Sequence, residues 1–123
     1  MSKLPDEKKK KMVLVVDDEA AIRRIVGTSL KLMGYEVITC GSGAEALELS
    51  ETQKPDIMLL DVFMPVMDGL EVLKRLRANS KLPVIVFSAH NSTREQALKL
   101  GANEFVSKPF TPDQMAKTIA AVL

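Results

Sequence analysis

Short apolar runs alternate with amphipathic stretches along this sequence, and the alternation restricts the fold more than any other feature. The apolar runs predict strands because they are rich in β-branched residues and are bounded by glycine, proline or acidic residues. They cover Met12–Val16, Tyr35–Thr39, Ile57–Leu60, Pro83–Phe87 and Glu104–Ser107. Since several runs are apolar at nearly every position, their strands should be buried on both faces, as in a parallel sheet covered by helices.

Helical periodicity follows each predicted strand. Apolar residues recur at three- and four-residue spacing in the first helix, and Gly34 suits its C-terminal cap. The later helices are predicted to run from Ser42 to about Ser50, from Asp68, from Ser92 to Gly101, and from Thr111 with Pro112 at the first helical position. The expected apolar faces are Ile22, Ile25, Val26, Leu30 and Met33 in the first helix, Leu70, Leu73 and Leu76 in the third, and Met115, Ile119, Val122 and Leu123 in the last. Five strand–helix units with short connections predict an α/β domain with helices on both faces of the sheet.

Composition and charge exclude several classes of protein. With 123 residues, 46% hydrophobic and 27% charged, the chain suits one globular domain, which we place at residues 12–123. A net charge of +1 gives no electrostatic reason to expect nucleic acid or an anionic membrane as partner.

Residues 1–11, with four consecutive lysines, are expected to form a flexible basic arm. Cys40 is the only cysteine, so an internal disulfide is impossible. No apolar stretch approaches the ~18 residues that span a bilayer, so a cytoplasmic protein without membrane insertion is expected.

Polar side chains stand where four of the predicted strands end. Asp17 and Asp18 follow the first strand and Asp61 the third. Ser88 follows the fourth strand and Lys108 the fifth. Ligands of open parallel sheets bind at the carboxyl ends of the strands, so these side chains should meet in one site.

A carboxylate cluster of this kind predicts a cation. Three close carboxylates raise one another's pKa unless a positive charge lies among them. Mg²⁺ prefers oxygen ligands, and carboxylates, the backbone carbonyl of Phe63 and waters would suit it. With Lys108 and Ser88 beside a bound phosphoryl group, the residues would suit phosphoryl transfer to the Asp61 carboxylate.

The same residues resemble the receiver domain of two-component response regulators, the CheY-like family. The motifs that carry the resemblance, in order, are Val15-Val16-Asp17-Asp18, Asp61 with Met64-Pro65 and Asp68-Gly69, Ser88-Ala89, and Lys108-Pro109-Phe110. The resemblance covers about residues 12–123. It implies a flavodoxin-like (βα)5 fold with a sheet of order 2-1-3-4-5.

The resemblance also implies roles for individual residues. Asp61 would accept a phosphoryl group from a phosphohistidine on a sensor histidine kinase or a histidine phosphotransfer protein. Asp17 and Asp18 would hold Mg²⁺ together with Asp61 and the Phe63 carbonyl. Lys108 would contact the phosphoryl group, and its peptide bond to Pro109 would be cis.

Phosphorylation of Asp61 would then act as a switch. The added charge of roughly −1.5 to −2 would draw Ser88 inward, and Phe105 would turn into the space behind it. The face formed by the fourth helix, the fifth strand and the fifth helix would bind a downstream protein. The chain would be a monomer or a phosphorylation-dependent dimer. Phe63 and His90 lie two residues beyond Asp61 and Ser88, positions that in the family affect the hydrolysis of the acyl phosphate.

Two other functions fit the same sequence less well. A phosphohydrolase with an aspartyl intermediate typically has a second acid two residues beyond the nucleophile, where Phe63 stands here. A receiver-like binding module without phosphorylation would not need the retained residues Asp17, Asp18, Asp61, Ser88 and Lys108. We therefore expect a stand-alone signalling domain and not an enzyme, although the domain would assist its own phosphorylation and slow dephosphorylation.

Overall fold

All five predicted strands are present in the computed structural model, which describes residues 10–123. The strands are β1 (Met12–Val16), β2 (Glu36–Cys40), β3 (Ile57–Asp61), β4 (Val84–Ser88) and β5 (Glu104–Ser107). Every pair is parallel and the order is β2-β1-β3-β4-β5. The predicted flavodoxin-like α/β fold is confirmed. The basic arm predicted for residues 1–11 lies almost wholly outside the described residues.

Two strands begin one residue later than the sequence predicted. Tyr35 was expected in β2, but its N–H donates to the carbonyl of Leu30 at 3.1 Å, which makes it part of the preceding helix end. Gly34 has a φ of +100° and donates to Lys31, so the two bonds form a Schellman cap. Pro83 has no N–H to donate and stands just before β4.

Five helices connect and follow the strands, namely α1 (Ala20–Leu32), α2 (Gly43–Thr52), α3 (Gly69–Arg77), α4 (Arg94–Lys99) and α5 (Pro112–Val122). The predicted N-caps Ser42, Asp68 and Thr111 each accept a hydrogen bond from the backbone N–H three residues later. The predicted cap at Ser92 is wrong. A short 3-10 turn at Asn91–Thr93 precedes α4, and Thr93 uses its hydroxyl to bond the carbonyl of His90 at 2.8 Å.

The sheet separates the core into two layers. Val13, Val15, Ile57 and Leu59 pack on the side of α1 and α5, together with Ile85, Phe87, Met115 and Ile119. The alternate strand residues, Leu14, Val16, Met58, Leu60, Val84 and Val86, pack on the side of α2, α3 and α4. Both faces of the central strands are therefore buried, which explains why their sequences are apolar without alternation.

Some predicted face residues are not buried. Val26 and Leu30 of α1 are almost fully buried, but Ile25 is 56% exposed. Met33 and Leu123 lie at helix ends and are exposed as well. In residues 10–123 no helix combines the length and the apolar character needed to cross a membrane.

Candidate functional site

The loop after β1 holds the first two acidic residues in different environments. Asp17 is fully buried, whereas Asp18 is exposed. The Asp17 N–H donates to the carbonyl of Cys40 at 3.1 Å, and its Oδ1 accepts from the N–H of Glu19 at 2.9 Å. Its own carbonyl accepts a hydrogen bond of 2.7 Å from Nη1 of Arg23. These bonds fix both the backbone and the side chain of Asp17.

Asp61 is the last residue of β3 and is 3% exposed. The turn behind it is narrow, because the N–H of Gly69 donates to the carbonyl of Val62 at 2.7 Å. A Cβ atom at position 69 would lie 2.1 Å from the carbonyl oxygen of Asp61. Only glycine therefore allows α3 to begin this close to the end of β3.

Lys108 joins the two buried carboxylates. Its Nζ lies 3.4 Å from Oδ2 of Asp17 and 3.3 Å from Oδ1 of Asp61. The backbone of Lys108 is held to the neighbouring strand, since its N–H donates to the carbonyl of Ser88 at 2.8 Å. The peptide bond between Lys108 and Pro109 is cis, as the resemblance implied.

The charges of Asp17, Asp61 and Lys108 affect one another's pKa values. Burial, and then the nearby charge of Asp17, raise the pKa of Asp61 to about 6. Burial also raises the pKa of Asp17, against the effects of its bond to Glu19 and of Lys108. Burial lowers the pKa of Lys108, but the charges of Asp61 and Asp17 outweigh this and leave it above its ordinary value. The single positive charge of Lys108 thus does not fully balance the negative charges of the two buried carboxylates, Asp17 and Asp61.

The three carboxylates could hold a divalent cation. Asp17, Asp18 and Asp61 each offer an oxygen, and these oxygens lie within 4.8 Å of one another. The donor set is all oxygen, which suits a hard cation such as Mg²⁺. A cation would also stabilise the ionised form of Asp61, which burial and the charge of Asp17 disfavour. The residues present therefore fit Mg²⁺.

A shallow cavity of about 310 Å³ opens over the carboxylates. It is lined by Asp18, Glu19, Asp61, Phe63, Ala89, His90 and Lys108. Phe63 and His90 form its rim, with ring centroids 4.7 Å apart in a T-shaped contact. Both side chains are exposed, and Phe63 is 53% exposed. The structure thus brings together the two residues that the sequence singled out for an effect on hydrolysis of the acyl phosphate.

Ser88 and Phe105 are both buried. The hydroxyl oxygen of Ser88 accepts a 3.0 Å hydrogen bond from the N–H of His90. Phe105 belongs to the core layer on the side of α4, and the guanidinium of Arg94 lies 5.7 Å from its ring centroid. The aromatic side chain expected to turn inward on phosphorylation is therefore already buried in this structure.

Sequence reasoning did not identify two residues that shape the site. Gly69 was noted as part of a motif, but its contact with the Asp61 carbonyl was not predicted. Arg23 was not singled out, although it bonds the carbonyl of Asp17. Helical spacing places Arg23 beside the apolar face, seven residues before Leu30, and places Arg24 on the opposite side, so the sequence did offer a signal that separates them. The bond to the Asp17 carbonyl itself depends on the packing of α1 against the end of β2.

The family model and the curated relatives that match this sequence point to the same protein family. A family model described as "Response regulator receiver domain" matches residues 13–120. The "Probable transcriptional regulator ycf27" of Guillardia theta is 42% identical over 120 residues, which cover 96% of this chain and 47% of that protein. The "Alkaline phosphatase synthesis transcriptional regulatory protein PhoP" of Bacillus subtilis is 40% identical over 114 residues, covering 90% of this chain and 48% of that protein. The chain spans about half the length of these curated relatives.

Solved structures agree. The chemotaxis response regulator CheY4 of Vibrio cholerae superposes with a TM-score of 0.87 and 34% identity, covering 94% of this chain and 100% of that one. The Francisella response regulator 1452 receiver domain gives a TM-score of 0.87 with 32% identity over 92% of this chain and 96% of that one. Both similarities cover more than nine-tenths of this chain.

Proposed function

Because the chain belongs to the response regulator receiver domain family of two-component systems, we propose that it is a signalling switch whose phosphoacceptor is Asp61. The observation that carries the proposal is the placement of Lys108 Nζ between Asp17 and Asp61, at 3.4 and 3.3 Å. This arrangement keeps a nucleophilic carboxylate and a cationic side chain together at the open edge of the sheet. The family is a signalling family, so the product is a modified protein rather than a released compound.

The chemistry follows from the positions of these groups. A carboxylate oxygen of Asp61 attacks the phosphorus of a phosphohistidine, the P–O bond forms, and the P–N bond breaks with its electron pair left on the imidazole nitrogen. Lys108 stabilises the charge on the phosphoryl oxygens. Ser88 donates its hydroxyl hydrogen to one of those oxygens once the phosphoryl group is in place.

Mg²⁺ completes the proposed site. Asp17, Asp18 and Asp61, with the backbone carbonyl of Phe63, would hold the ion, as receiver domains typically do at an acidic cluster. It would supply positive charge to the phosphoryl oxygens and to the crowded carboxylates.

The proposed switch is a population shift between two packings. In the structure Ser88 accepts a bond from the His90 N–H, so movement of Ser88 toward phospho-Asp61 would release the start of the loop that leads to α4. The face formed by α4, β5 and α5 would then present a different surface to a downstream protein, with Phe105 as the core side chain that adjusts. Unchanged amide chemical shifts for residues 88–110 on addition of a phosphoryl mimic would contradict this switch.

The partners in this proposal are proteins. A sensor histidine kinase or histidine phosphotransfer protein would donate the phosphoryl group in the cytoplasm, as family membership favours. Two curated relatives carry the names of transcriptional regulators, and we extend that output to this chain. The signal would pass through the α4–β5–α5 face, in a monomer or a phosphorylation-dependent dimer, without nucleic acid bound by residues 12–123 themselves.

Intact mass spectrometry tests the proposal directly. After incubation with acetyl phosphate and Mg²⁺, the wild-type chain should gain the mass of one phosphoryl group, and the Asp61→Asn variant should not. Omission of Mg²⁺ should suppress the gain. Rapid turnover of small phosphate esters without accumulation of the labelled chain would instead support a phosphohydrolase. Equal labelling of Asp61→Asn would overturn the assignment of the phosphoacceptor.

A further inference from the structure

Arg23 connects helix α1 to the backbone of the acidic loop. Its Nη1 donates a 2.7 Å hydrogen bond to the carbonyl oxygen of Asp17. The guanidinium also lies against Gly41, where a Cβ atom would come within 2.9 Å of the same Nη1. Arg23 thus occupies the narrow space between the end of β1 and the residue that follows β2.

The neighbouring arginine behaves differently. Arg24 is exposed, and within residues 10–123 its side chain makes neither a hydrogen bond nor a salt bridge. Arg23 is half-buried, and its guanidinium donates to one backbone acceptor, the carbonyl oxygen of Asp17. Arg23 and Arg24 are therefore neighbours of the same type that differ in their contact with the acidic loop: within residues 10–123 the Arg23 side chain bonds the Asp17 carbonyl and the Arg24 side chain does not.

We propose that Arg23 is a positioning residue for the cation site, acting through the Asp17 carbonyl on the peptide that joins Asp17 to Asp18. The inference rests on the proposed function, because it assigns a role toward Mg²⁺ in that same site. It follows from the way the loop is held. The Asp17 N–H is bonded to Cys40 and its Oδ1 to Glu19, and the Arg23 bond orients the peptide that carries Asp18.

The orientation of that peptide matters because Asp18 is the least restrained of the three carboxylates. Asp17 and Asp61 are buried and paired with Lys108, whereas Asp18 is exposed and stands one residue beyond the bonded carbonyl. A loop that rotates at the Asp17–Asp18 peptide would carry the Asp18 oxygen away from the other two. Outer contacts that orient metal ligands commonly contribute about 10- to 100-fold to metal affinity.

Mg²⁺ binding measured by isothermal titration calorimetry on the full chain tests the inference. Arg23→Met keeps the aliphatic stem and removes the donor, and it should raise the Kd for Mg²⁺ by about tenfold. Arg23→Lys keeps one cationic donor and should recover part of the affinity. Arg24→Met is the matched control and should bind Mg²⁺ as the wild type does.

The Mg²⁺ dependence of Asp61 phosphorylation provides a second measurement, which separates a change in Mg²⁺ affinity from a change in the maximal rate. With acetyl phosphate, Arg23→Met should need about tenfold more Mg²⁺ for half-maximal labelling of Asp61, yet reach the wild-type rate at saturating Mg²⁺. A general loss of structure would lower the maximal rate instead. Gly41→Ala places a methyl group against the guanidinium and should shift the Mg²⁺ requirement in the same direction, so it decides the question if Arg23→Met does not fold.

The outcomes separate this inference from the function on which it rests. If the wild type and Arg24→Met bind Mg²⁺ and Arg23→Met binds it equally tightly, Arg23 has no positioning role and the inference is overturned. If the wild type neither binds Mg²⁺ nor becomes labelled, the proposed function itself fails. A raised Kd for Arg23→Met and Gly41→Ala, with recovery in Arg23→Lys, supports the inference.

Discussion

The two halves of the candidate site are built in different ways. In the β1–β3 half, Asp17 and Asp61 are buried, and both contact Lys108. Gly69 brings α3 against the backbone of Asp61 with no room for a side-chain carbon. In the β4–α4 half, the chain leaves β4 through an exposed loop and a three-residue 3-10 turn into an α4 of only six residues.

This difference matches two separate demands on the proposed phosphorylation switch. Groups that hold a cation and a phosphoryl group must stay in place, and their positions are set by several bonds each. A segment that reports phosphorylation must rearrange at low cost, and regions with few buried contacts open most easily. In α4 only Ala97 is buried, whereas α3 buries Gly69, Val72, Leu73 and Leu76.

The largest expected effect comes from adding one carbon to the β1–β3 half. Gly69→Ala would place a Cβ atom 2.1 Å from the Asp61 carbonyl oxygen, so the end of β3 or the start of α3 must move. We expect the free energy of unfolding to fall by about 3 kcal/mol, as for overpacked interiors, and Mg²⁺ affinity to fall with it. Urea denaturation and calorimetric titration measure the two quantities.

Gly27→Ala is a suitable control for that substitution. Gly27 is buried in α1, but an added Cβ would make only ordinary contacts of 3.6 Å with Val37 and 3.7 Å with Thr39. Because alanine favours helix more than glycine, this variant should be more stable by roughly 0.5–1 kcal/mol. If Gly69→Ala and Gly27→Ala lowered the free energy of unfolding by similar amounts, the β1–β3 half would tolerate an added carbon atom as well as the rest of the core does.

The second expected effect is a dependence on pH. Without Mg²⁺, the folded protein holds the Asp61 proton more tightly than the unfolded chain, because burial and Asp17 raise the pKa from 3.8 to about 6. The stabilisation from this proton is complete below about pH 3.8 and is lost as pH rises through about 6. At neutral pH the ionised carboxylate therefore destabilises the metal-free fold.

Asp61→Asn removes that charge and should stabilise the metal-free protein at pH 7 by about 2 kcal/mol. The difference between wild type and variant in urea denaturation with a chelator should shrink as pH falls from 7 to 4. Asp68→Asn serves as control, since asparagine caps a helix as well as aspartate and the position is exposed. An Asp61→Asn variant less stable than the wild type at pH 7 without Mg²⁺ would contradict the conclusion that the ionised Asp61 carboxylate destabilises the metal-free fold.

The comparison between the halves also shows what the sequence could reveal. The five strand–helix units and the meeting of Asp17, Asp61 and Lys108 were predictable, because buried parallel strands are apolar throughout and end at one edge of the sheet. The strand order was implied only by the resemblance to receiver domains. The caps at Ser42, Asp68 and Thr111 were predictable from local hydrogen-bond chemistry.

Features that depend on contacts between distant segments were not predictable. The exposure of Ile25 is set by where α1 lies on the sheet, and its spacing in the sequence equals that of a buried residue. The cap predicted at Ser92 failed because the loop after β4 closes a 3-10 turn first, with the Thr93 hydroxyl bonded to His90. The contact between Gly69 and the Asp61 carbonyl, and the bond from Arg23, arise only when the strands are assembled.

A third, smaller effect concerns the contact that bridges the two halves. Phe63 follows β3 and His90 follows β4, and their rings meet at the rim of the cavity. Phe63→Ser should admit water to the acyl phosphate and speed the decay of phospho-Asp61 by roughly three- to tenfold, a barrier change of about 1 kcal/mol. The decay is measured by loss of the phosphoryl mass after removal of acetyl phosphate.

His90→Ala completes that test. If His90 acts by holding Phe63 over the cavity, this variant should speed decay in the same direction, and the double variant should exceed Phe63→Ser by little. Independent, additive effects would show that the two rings act separately. Unchanged decay in Phe63→Ser would remove the shielding role altogether.

The smallest effect is expected where Arg94 meets Phe105. The guanidinium lies 5.7 Å from the ring centroid, and its Nη1 is 3.5 Å from the Phe105 carbonyl oxygen. Since Arg94 is exposed, Arg94→Ala should lower the free energy of unfolding by less than about 1 kcal/mol. It should nevertheless speed amide hydrogen exchange in α4, because this contact ties the start of the helix to β5, whereas Glu95→Ala should not. If Arg94→Ala lowered the free energy of unfolding as much as Gly69→Ala does, the β4–α4 half would be held as firmly as the β1–β3 half. Packing would then give no reason to expect the β4–α4 half to move while the β1–β3 half stays in place.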